Sequence, residues 1–123
     1  MNPVGWFELP ATDIERAENF YKAFFGFEFA RQEEKDGYIM SWFPMTMESY
    51  GAAGTLIKGE LYVPSDNGVT VYFSVPSVAD AMTKAEEMGV TVLMPKTDIG
   101  EHGFFAWILD SEGNRIAVHS MEG

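Results

Sequence analysis

Hydrophobic and polar residues alternate at the start of the chain and then change to a helical spacing. From Trp6 to Pro10 successive side chains point to opposite faces, because a β-strand has a side-chain period of two. Thr12 and Glu15 then form a capping box, and Gly26 stands where a left-handed C-cap is needed. The apolar residues between them fall on one helical stripe: Ile14, Ala17, Phe20, Tyr21 and Phe24. The pattern predicts a strand that turns directly into an amphipathic helix.

Three further strands are predicted in the first half of the chain. They are the short apolar or aromatic-rich segments 27–32, 38–43 and 52–58. A charged hairpin turn at 33–37 joins the first two, and a loop at 44–50 precedes the third. The segment 60–68, which contains Pro, Ser, Asp, Asn and Gly, is a linker by composition.

The opening pattern returns at an offset of about 64 residues, which indicates a duplicated unit. The segment 69–75 predicts a strand, Ser77 and Asp80 repeat the helix cap, and Gly89 ends the helix. Its apolar stripe consists of Val78, Ala81, Met82, Ala85 and Met88. The strands predicted after it are 90–94, 104–110 and 115–120. Each half is therefore one strand, one helix and three strands.

Two glycine-containing segments have no ligand-binding motif. The segment from Gly51 to Gly54 lacks the spacing and the following helix of a nucleotide-binding fingerprint. The segment from Asp110 to Asn114 lacks the alternating oxygen ligands of a calcium loop. Gly113 and Asn114 tolerate positive φ, so we interpret this second segment as a hairpin turn.

The overall charge excludes two classes of partner. The formal net charge is −11 and the pI is about 4.4, whereas nucleic acid and anionic membrane surfaces are bound by clustered Lys and Arg. The same charge is explained by solubility or by an electronegative pocket for a cationic ligand. The sequence contains no cysteine, which excludes thiolate catalysis and disulfides. We find no signal peptide pattern and no apolar stretch of membrane-spanning length, and we expect a cytoplasmic protein.

Two motifs together resemble the vicinal oxygen chelate superfamily, which includes glyoxalase I, bleomycin-resistance proteins and extradiol dioxygenases. They are ELPATDIERAENFYKAFFGFEF near the start and FAWILDSEGNRIAVHS near the end, so that the resemblance covers essentially the whole chain. More narrowly, the chain resembles the small glyoxalase-related group. The resemblance implies an α+β glyoxalase/bleomycin resistance fold in a single domain, 1–123. Its two βαβββ modules, 4–60 and 68–121, would form a cupped eight-stranded sheet with the site inside the cup. It also implies a homodimer.

The resemblance also implies a divalent metal, held by His, Gln or Glu from the first and last strands of each module. Carried over to this sequence, these positions fall on Trp6, Thr70 and Ala117, with the fourth somewhere in Ala52–Leu56. Indole, hydroxyl and methyl groups do not replace imidazole and carboxylate around Zn²⁺, Ni²⁺ or Fe²⁺. We therefore expect no metal at the usual site and no other cofactor.

Strand alternation adds three candidates, each two residues beyond one of these positions and on the same strand face. They are Glu8, Tyr72 and His119. Burial in a cup would raise the pKa of Glu8 toward that of His119, so that the two could act as catalytic base and acid. They could instead hold a displaced metal, although two ligands are fewer than catalytic zinc uses. The other interpretation of His119 is a hydrogen-bonded strand histidine with no chemical role, and of Tyr72 a core residue.

Two functions remain open from the sequence. In the first, the protein binds a small organic molecule in an aromatic, acidic cup, and Glu8 pairs with a cationic group on which Trp6 stacks. The residues predicted to line this site are Trp6, Glu8, Thr70, Tyr72 and His119. In the second, the protein is a lyase or isomerase related to lactoylglutathione lyase, with Glu8 and His119 as its acid–base pair or as ligands of a displaced metal.

Overall fold

A computed structural model of the chain describes residues 2–33, 37–46 and 51–123. The predicted turn at 33–37 and the predicted loop at 44–50 therefore lie partly outside the described residues. The chain divides into two compact units, Met1–Pro64 and Ser65–Gly123, which are considered separately.

The first unit is a four-stranded sheet with one helix. Its elements are β1 (Trp6–Pro10), α1 (Ile14–Phe25), β2 (Ala30–Glu33), β3 (Ile39–Trp42) and β4 (Ala53–Lys58). The strand order is β1-β4-β3-β2, with β1 parallel to β4 and the other pairs antiparallel. This is the predicted βαβββ arrangement.

The second unit repeats this topology. Its elements are β5 (Val71–Ser74), α2 (Val78–Met88), β6 (Val92–Asp98), a short 3₁₀ turn (Gly100–His102), β7 (Phe104–Leu109) and β8 (Arg115–Ser120). The order is β5-β8-β7-β6, again with a parallel pair between the first and last strands. The internal duplication predicted from the 64-residue offset is thus present in the topology. In the described part of the chain, neither helix combines the length and hydropathy needed to cross a membrane.

The cap of α1 differs by one residue from the prediction. Asp13, in extended conformation, is the N-cap, and its carboxylate accepts from the Arg16 N–H at 3.0 Å. The Thr12 hydroxyl instead accepts from the Arg16 guanidinium at 3.1 Å. Aspartate caps a helix as well as threonine does, and its charge also suits the positive end of the helix dipole. Gly26 ends the helix at φ 80°, as predicted.

The cap of α2 is the predicted one. Ser77 accepts from the Asp80 N–H at 3.2 Å, and Gly89 ends the helix at φ 71°. The hairpin before β8 corrects a detail, because Gly113 adopts positive φ, at 91°, and Asn114 does not. The Asn114 side chain instead donates to Asp110 at 3.0 Å and accepts from the Ser65 N–H at 3.1 Å, which ties the turn to the start of the unit.

Each helix covers one face of its own sheet. In the first unit the buried stripe of α1 includes Tyr21, whose ring lies 5.2 Å from that of Phe43, and Glu18 accepts from the buried Ser41 hydroxyl at 2.5 Å. In the second unit the Val78 N–H donates to the Ser120 hydroxyl at 3.0 Å. Because side chains alternate along a strand, residues next to these contacts point to the face opposite the helix, here called the helix-free face.

Candidate functional site

The helix-free face of the first unit carries Trp6, Glu8, Trp42 and Thr55. Glu8 on β1 is paired with Thr55 on β4, and Thr55 is paired with Trp42 on β3, so the three side chains form one row across the sheet. Trp6 lies two residues before Glu8 on the same strand face. Its ring meets that of Trp42 edge to face, with centroids 5.8 Å apart and an interplanar angle of 87°. The predicted neighbourhood of Trp6 and Glu8 is therefore aromatic on this face.

The Glu8 carboxylate has a hydrogen-bond partner that the sequence analysis did not identify. The Tyr62 hydroxyl donates to it, and the Tyr62 ring packs edge to face on Tyr38 at 5.8 Å. Loss of hydration raises the pKa of Tyr62 above its usual value, and the charge of Glu8 and this hydrogen bond raise the pKa further. The Glu8 carboxylate therefore accepts a hydrogen bond from the Tyr62 phenol.

The burial expected for Glu8 is not observed. Its side chain is exposed, as is that of Trp6, because β1 is the last strand at one end of its sheet. The carboxyl group thus lacks the apolar enclosure expected from the sequence. An exposed carboxylate with a phenol partner is suited to attract a positive charge.

Thr55, between Glu8 and Trp42, has an unusual environment. It is 2% exposed, and its hydroxyl oxygen has no hydrogen-bond partner among the described residues. A buried hydroxyl without a partner carries a desolvation cost, so this oxygen is a polar group that an added donor or acceptor would satisfy. It lies within the segment Ala52–Leu56, to which the resemblance assigns a ligand.

On the helix-free face of the second unit, Tyr72 and Trp107 meet across Ala117. Ala117 on β8 is paired with Tyr72 on one side and with Trp107 on the other, and it is 0% exposed. The Trp107 indole N–H donates to the Tyr72 hydroxyl at 3.1 Å. The two large side chains therefore close over a methyl group. Tyr72, which was predicted to contact a ligand, is half exposed on this face and is not part of the core.

Arg115 and Thr70 form the second feature of this face. The Arg115 Nε donates to the Thr70 hydroxyl at 2.8 Å, and its Nη2 donates to the Gly68 carbonyl at 2.5 Å. The guanidinium carbon lies 4.7 Å from the centroid of the Trp107 ring. The hydroxyl of Thr70, which was predicted to contact a ligand, is thus already hydrogen-bonded to a cationic side chain.

His119 makes a hydrogen bond to the backbone. Its Nε2 lies 2.6 Å from the His102 carbonyl oxygen, which only accepts, so Nε2 donates in this hydrogen bond. His119 belongs to the second unit and Glu8 to the first, so neither unit by itself contains the acid–base pair considered from the sequence. The contact supports the interpretation of His119 as a hydrogen-bonded strand histidine.

The residues present do not fit the divalent metal that the resemblance implies. The indole at position 6 offers no lone pair, Thr70 already accepts from a guanidinium, and Ala117 is covered by two aromatic side chains. Within residues 2–33, 37–46 and 51–123, no three His, Cys, Asp or Glu side chains converge as metal ligands would. No chemical step is therefore derived through such an ion.

Four residues that shape these faces were not among the predicted site residues: Trp42, Tyr62, Trp107 and Arg115. Alternation places Trp107 on the same face as Phe105, but only the register of β7 against β8 shows that it meets Tyr72. Tyr62 lies in the segment interpreted as a linker, and nothing in its local sequence indicates a contact with Glu8.

A sequence model of the Glyoxalase/Bleomycin resistance protein/Dioxygenase superfamily matches residues 4–118. The chain belongs to this superfamily. It is 28% identical over 126 residues to a glyoxylase-like domain-containing protein of Didymella fabae, a match that covers 98% of this chain and 94% of that protein. These matches confirm the resemblance identified from the two sequence motifs.

Similar solved structures confirm the predicted fold. TnmS3, an antibiotic binding protein from Streptomyces sp. CB03234, is 24% identical, with a TM-score of 0.70 over 97% of this chain and 95% of that one. Lactoylglutathione lyase from Agrobacterium tumefaciens is 18% identical, with a TM-score of 0.67 over 97% and 93% of the two chains. At these identities the likeness establishes the glyoxalase/bleomycin resistance fold and leaves the ligand open.

Proposed function

We propose that this protein binds a small organic cation on the helix-free face of its first unit, with Glu8 as the counter-charge. The observation that carries the proposal is the shared face of the Glu8 carboxylate and the edge-to-face pair of Trp6 and Trp42. A cation placed there meets a negative charge and two indole rings at once.

Each of these groups favours a cation for a separate reason. Indole is the aromatic side chain that attracts cations most strongly, by about 0.5–2 kcal/mol per contact, depending on exposure. Trp6 is 61% exposed, so its ring is accessible to a ligand without rearrangement of the core. The Glu8 carboxylate adds charge pairing, and the net charge of −11 raises the local concentration of cations.

Tyr62 is proposed to position the carboxylate. Its hydroxyl donates to Glu8 and its ring rests on Tyr38, so that the phenol limits the rotamers of an otherwise exposed side chain. A carboxylate whose position is already fixed loses less conformational entropy when the ligand binds. The buried Thr55 hydroxyl, in the same row, offers one further hydrogen bond to a ligand that displaces the side chains above it.

A binding role has a precedent among proteins of similar fold, since TnmS3 is described as an antibiotic binding protein. Binding also requires neither a metal nor the pairing of Glu8 with His119 on which the lyase or isomerase alternative depends. Thr70, Tyr72 and His119, on the helix-free face of the second unit, stay predicted ligand contacts. The homodimer and the cytoplasmic location stay predictions as well.

A matched pair of probes tests the proposal. Phenyltrimethylammonium carries a fixed positive charge, and N,N-dimethylaniline is a neutral analogue of similar shape. We expect the cation to quench tryptophan fluorescence saturably and to bind at least about tenfold more tightly than the neutral compound. Equal binding of the two compounds, or no quench by the cation, would contradict the proposal.

Two variants with the same charge change complete this experiment. Glu8→Gln should weaken binding of phenyltrimethylammonium by about tenfold, because it removes the counter-charge and leaves the shape of the site. Glu28→Gln removes one exposed carboxylate elsewhere in the same unit and should change affinity by less than about twofold, since exposed distant charges are screened. Equal losses of affinity in both variants would show that the net charge alone causes the effect.

We further propose that ligand binding is independent of a divalent metal. The support is the donor chemistry of Trp6, Thr70 and Ala117. Titration with Ni²⁺ and Zn²⁺ followed by calorimetry should give no stoichiometric tight binding. Stoichiometric binding that is lost in Glu8→Gln or in a His119→Gln variant would show a displaced metal site and would favour the enzyme alternative.

A further inference from the structure

We infer that the helix-free face of the second unit holds a site for a carboxylate, or a similar planar oxyanion, on a small organic molecule, with Arg115 as the anchoring residue. This inference concerns different residues from those of the proposed cation site and goes beyond that function. It rests on three observations: the fixation of the guanidinium, its unused donors and the absence of an acidic partner among the described residues.

The guanidinium of Arg115 is fixed at three points. Nε donates to the Thr70 hydroxyl at 2.8 Å, Nη2 donates to the Gly68 carbonyl at 2.5 Å, and the plane lies over the Trp107 ring at 4.7 Å. Trp107 is itself held by its hydrogen bond to Tyr72. A free arginine side chain loses considerable rotamer entropy when it binds a ligand, and here most of that loss has already occurred on folding.

The bonds that fix Arg115 leave most of its donors unused. A guanidinium has five N–H groups, and the contacts to Thr70 and Gly68 use two of them. The N–H groups left over are the two on Nη1 and one on Nη2, so each of these two nitrogens keeps a donor, and the pair can bind both oxygens of a carboxylate. Both fixing partners are neutral oxygens, which orient the group without neutralising its charge.

Among the residues that the structure describes, no acidic side chain is paired with Arg115, although acidic residues are abundant. Between Ser65 and Gly123 the sequence has nine Asp and Glu and three Lys and Arg, namely Lys84, Lys96 and Arg115. In the described part of the chain no carboxylate lies within salt-bridge distance of Arg115. An immobilised cation that pairs with no described carboxylate, in a unit with a threefold excess of acids, is suited to an anionic group supplied from outside.

Tyr72 supplies a second donor on this face. Its hydroxyl oxygen accepts from the Trp107 indole, and the hydroxyl can still donate its own proton to a ligand. Tyr72 is 48% exposed and its ring lies 6.1 Å from that of Phe105. The face thus combines a cation and a phenol, which select an oxyanion, with aromatic rings that accept the apolar body of the same molecule.

A purely structural role for Arg115 makes a different prediction. The contacts to Thr70 and Gly68, together with the bond from the Arg115 N–H to the Ser65 carbonyl at 3.3 Å, connect the start of the unit to β8. If this connection were the whole function of Arg115, its replacement would lower stability and would not change the preference between charged and neutral ligands. The experiment therefore measures that preference.

Phenylacetate and phenylacetamide are the probes, since they differ only in the charge of the terminal group. The chain has three Trp residues, so a ¹⁵N-labelled sample gives three indole N–H signals, of which the signal of Trp107 is assigned with Trp107→Phe. We expect phenylacetate to shift the Trp107 signal saturably and to bind at least about tenfold more tightly than phenylacetamide. Equal affinities, or shifts confined to other residues, would overturn the inference.

Variants separate the charge of Arg115 from its fixation. Arg115→Met should remove the preference for phenylacetate, and Arg115→Lys should retain part of it, because lysine keeps the charge and loses the planar fork. Lys96→Met is the matched control: it removes a cation that lies over an aromatic ring in the same unit, 4.8 Å from Phe104, and should leave the preference unchanged. If Arg115→Met does not fold, full phenylacetate preference in Arg115→Lys would still contradict the proposed fork.

The two proposals fail separately in this design. Glu8→Gln should weaken the binding of phenyltrimethylammonium and change the affinity for phenylacetate by no more than about twofold. Arg115→Met should weaken the binding of phenylacetate and leave the affinity for phenyltrimethylammonium within about twofold. Loss of phenylacetate binding in Glu8→Gln as large as that in Arg115→Met would show that Arg115 does not act as an independent anchor.

Discussion

The Trp107 indole donates a hydrogen bond to the Tyr72 hydroxyl at 3.1 Å, directly across the methyl group of Ala117. The resemblance to metal-dependent relatives places a last-strand carboxylate at position 117. In this chain the space above that position is filled by two aromatic side chains joined to each other. A longer side chain at 117 would separate Tyr72 from Trp107, so this bridge and a carboxylate at position 117 exclude each other.

We accordingly predict that Ala117→Glu is strongly destabilising. The substitution places a carboxylate at a 0% exposed position and breaks the bridge, which should lower the free energy of unfolding by about 3 kcal/mol or more. Urea denaturation of the variant measures the effect. Ala23→Glu, the same substitution at an exposed position of α1, should change stability by no more than about 0.5 kcal/mol. An Ala117→Glu variant as stable as the parent would show that the bridge opens freely.

The sequence predicts the elements well because the signals for them are local. The helical stripe and Gly26 define α1, and a change of period from two to 3.6 marks the end of β1. Where two adjacent residues are both good caps, as Thr12 and Asp13 are, the local signal does not decide between them. Alternation likewise predicts correctly that Glu8 shares a face with Trp6.

The environment of each site residue depends on long-range register, which alternation does not contain. Nothing near Glu8 in sequence indicates that Tyr62 donates to it, and nothing near Thr70 indicates Arg115. Exposure is also set by the order of the strands: Glu8 is exposed because β1 ends its sheet. The chemistry of each face therefore follows only from the three-dimensional contacts.

Glu18 is predicted to stabilise the first unit in a pH-dependent way. Burial raises the pKa of Glu18, but hydrogen bonds from Arg31 and Ser41 and the charge of Arg31 outweigh it and hold the pKa below its usual value. A carboxylate with a lowered pKa stabilises the fold above its unfolded-state pKa of about 4.3, and this contribution is lost as the pH falls through the folded-state value. Glu18→Gln should therefore cost about 1–3 kcal/mol at pH 7.

Denaturation of the parent and of Glu18→Gln at pH 7 and at successively lower pH measures this contribution. The difference between the two proteins should shrink as the pH falls below about 4, because the parent then loses the charged form. Glu28→Gln is an exposed control and should differ little from the parent at any pH. A constant difference between the parent and Glu18→Gln across the range would show that the charge of Glu18 is not what stabilises the contact.

Gly54 is predicted to be required by the pairing of β1 with β4. Gly54 is buried opposite Phe7, and a Cβ at this position would overlap the Phe7 carbonyl and meet the Phe7 Cγ at 2.8 Å. Gly54→Ala should lower stability by about 1–3 kcal/mol, as overpacking does. Gly5→Ala, where a Cβ meets nothing within 4 Å, should be neutral or slightly stabilising. Equal melting temperatures for the two variants would contradict the close approach of the strands.

The contact between Glu8 and Tyr62 gives a prediction at alkaline pH. Loss of hydration and the negative charge of Glu8 raise the pKa of Tyr62, so its phenolate should form above the usual pH of about 10. The protonated phenol is the form that donates to Glu8, so the stabilisation is present below the unfolded-state pKa and is lost as the pH rises through the folded-state value.

Absorbance titration of the parent against Tyr62→Phe isolates this one tyrosine among five. In Glu8→Gln, which has no charge at position 8, Tyr62 should titrate at lower pH. An unchanged Tyr62 titration in that variant would mean that the phenol does not sense the carboxylate, and Tyr62 would then have no positioning role in the proposed cation site.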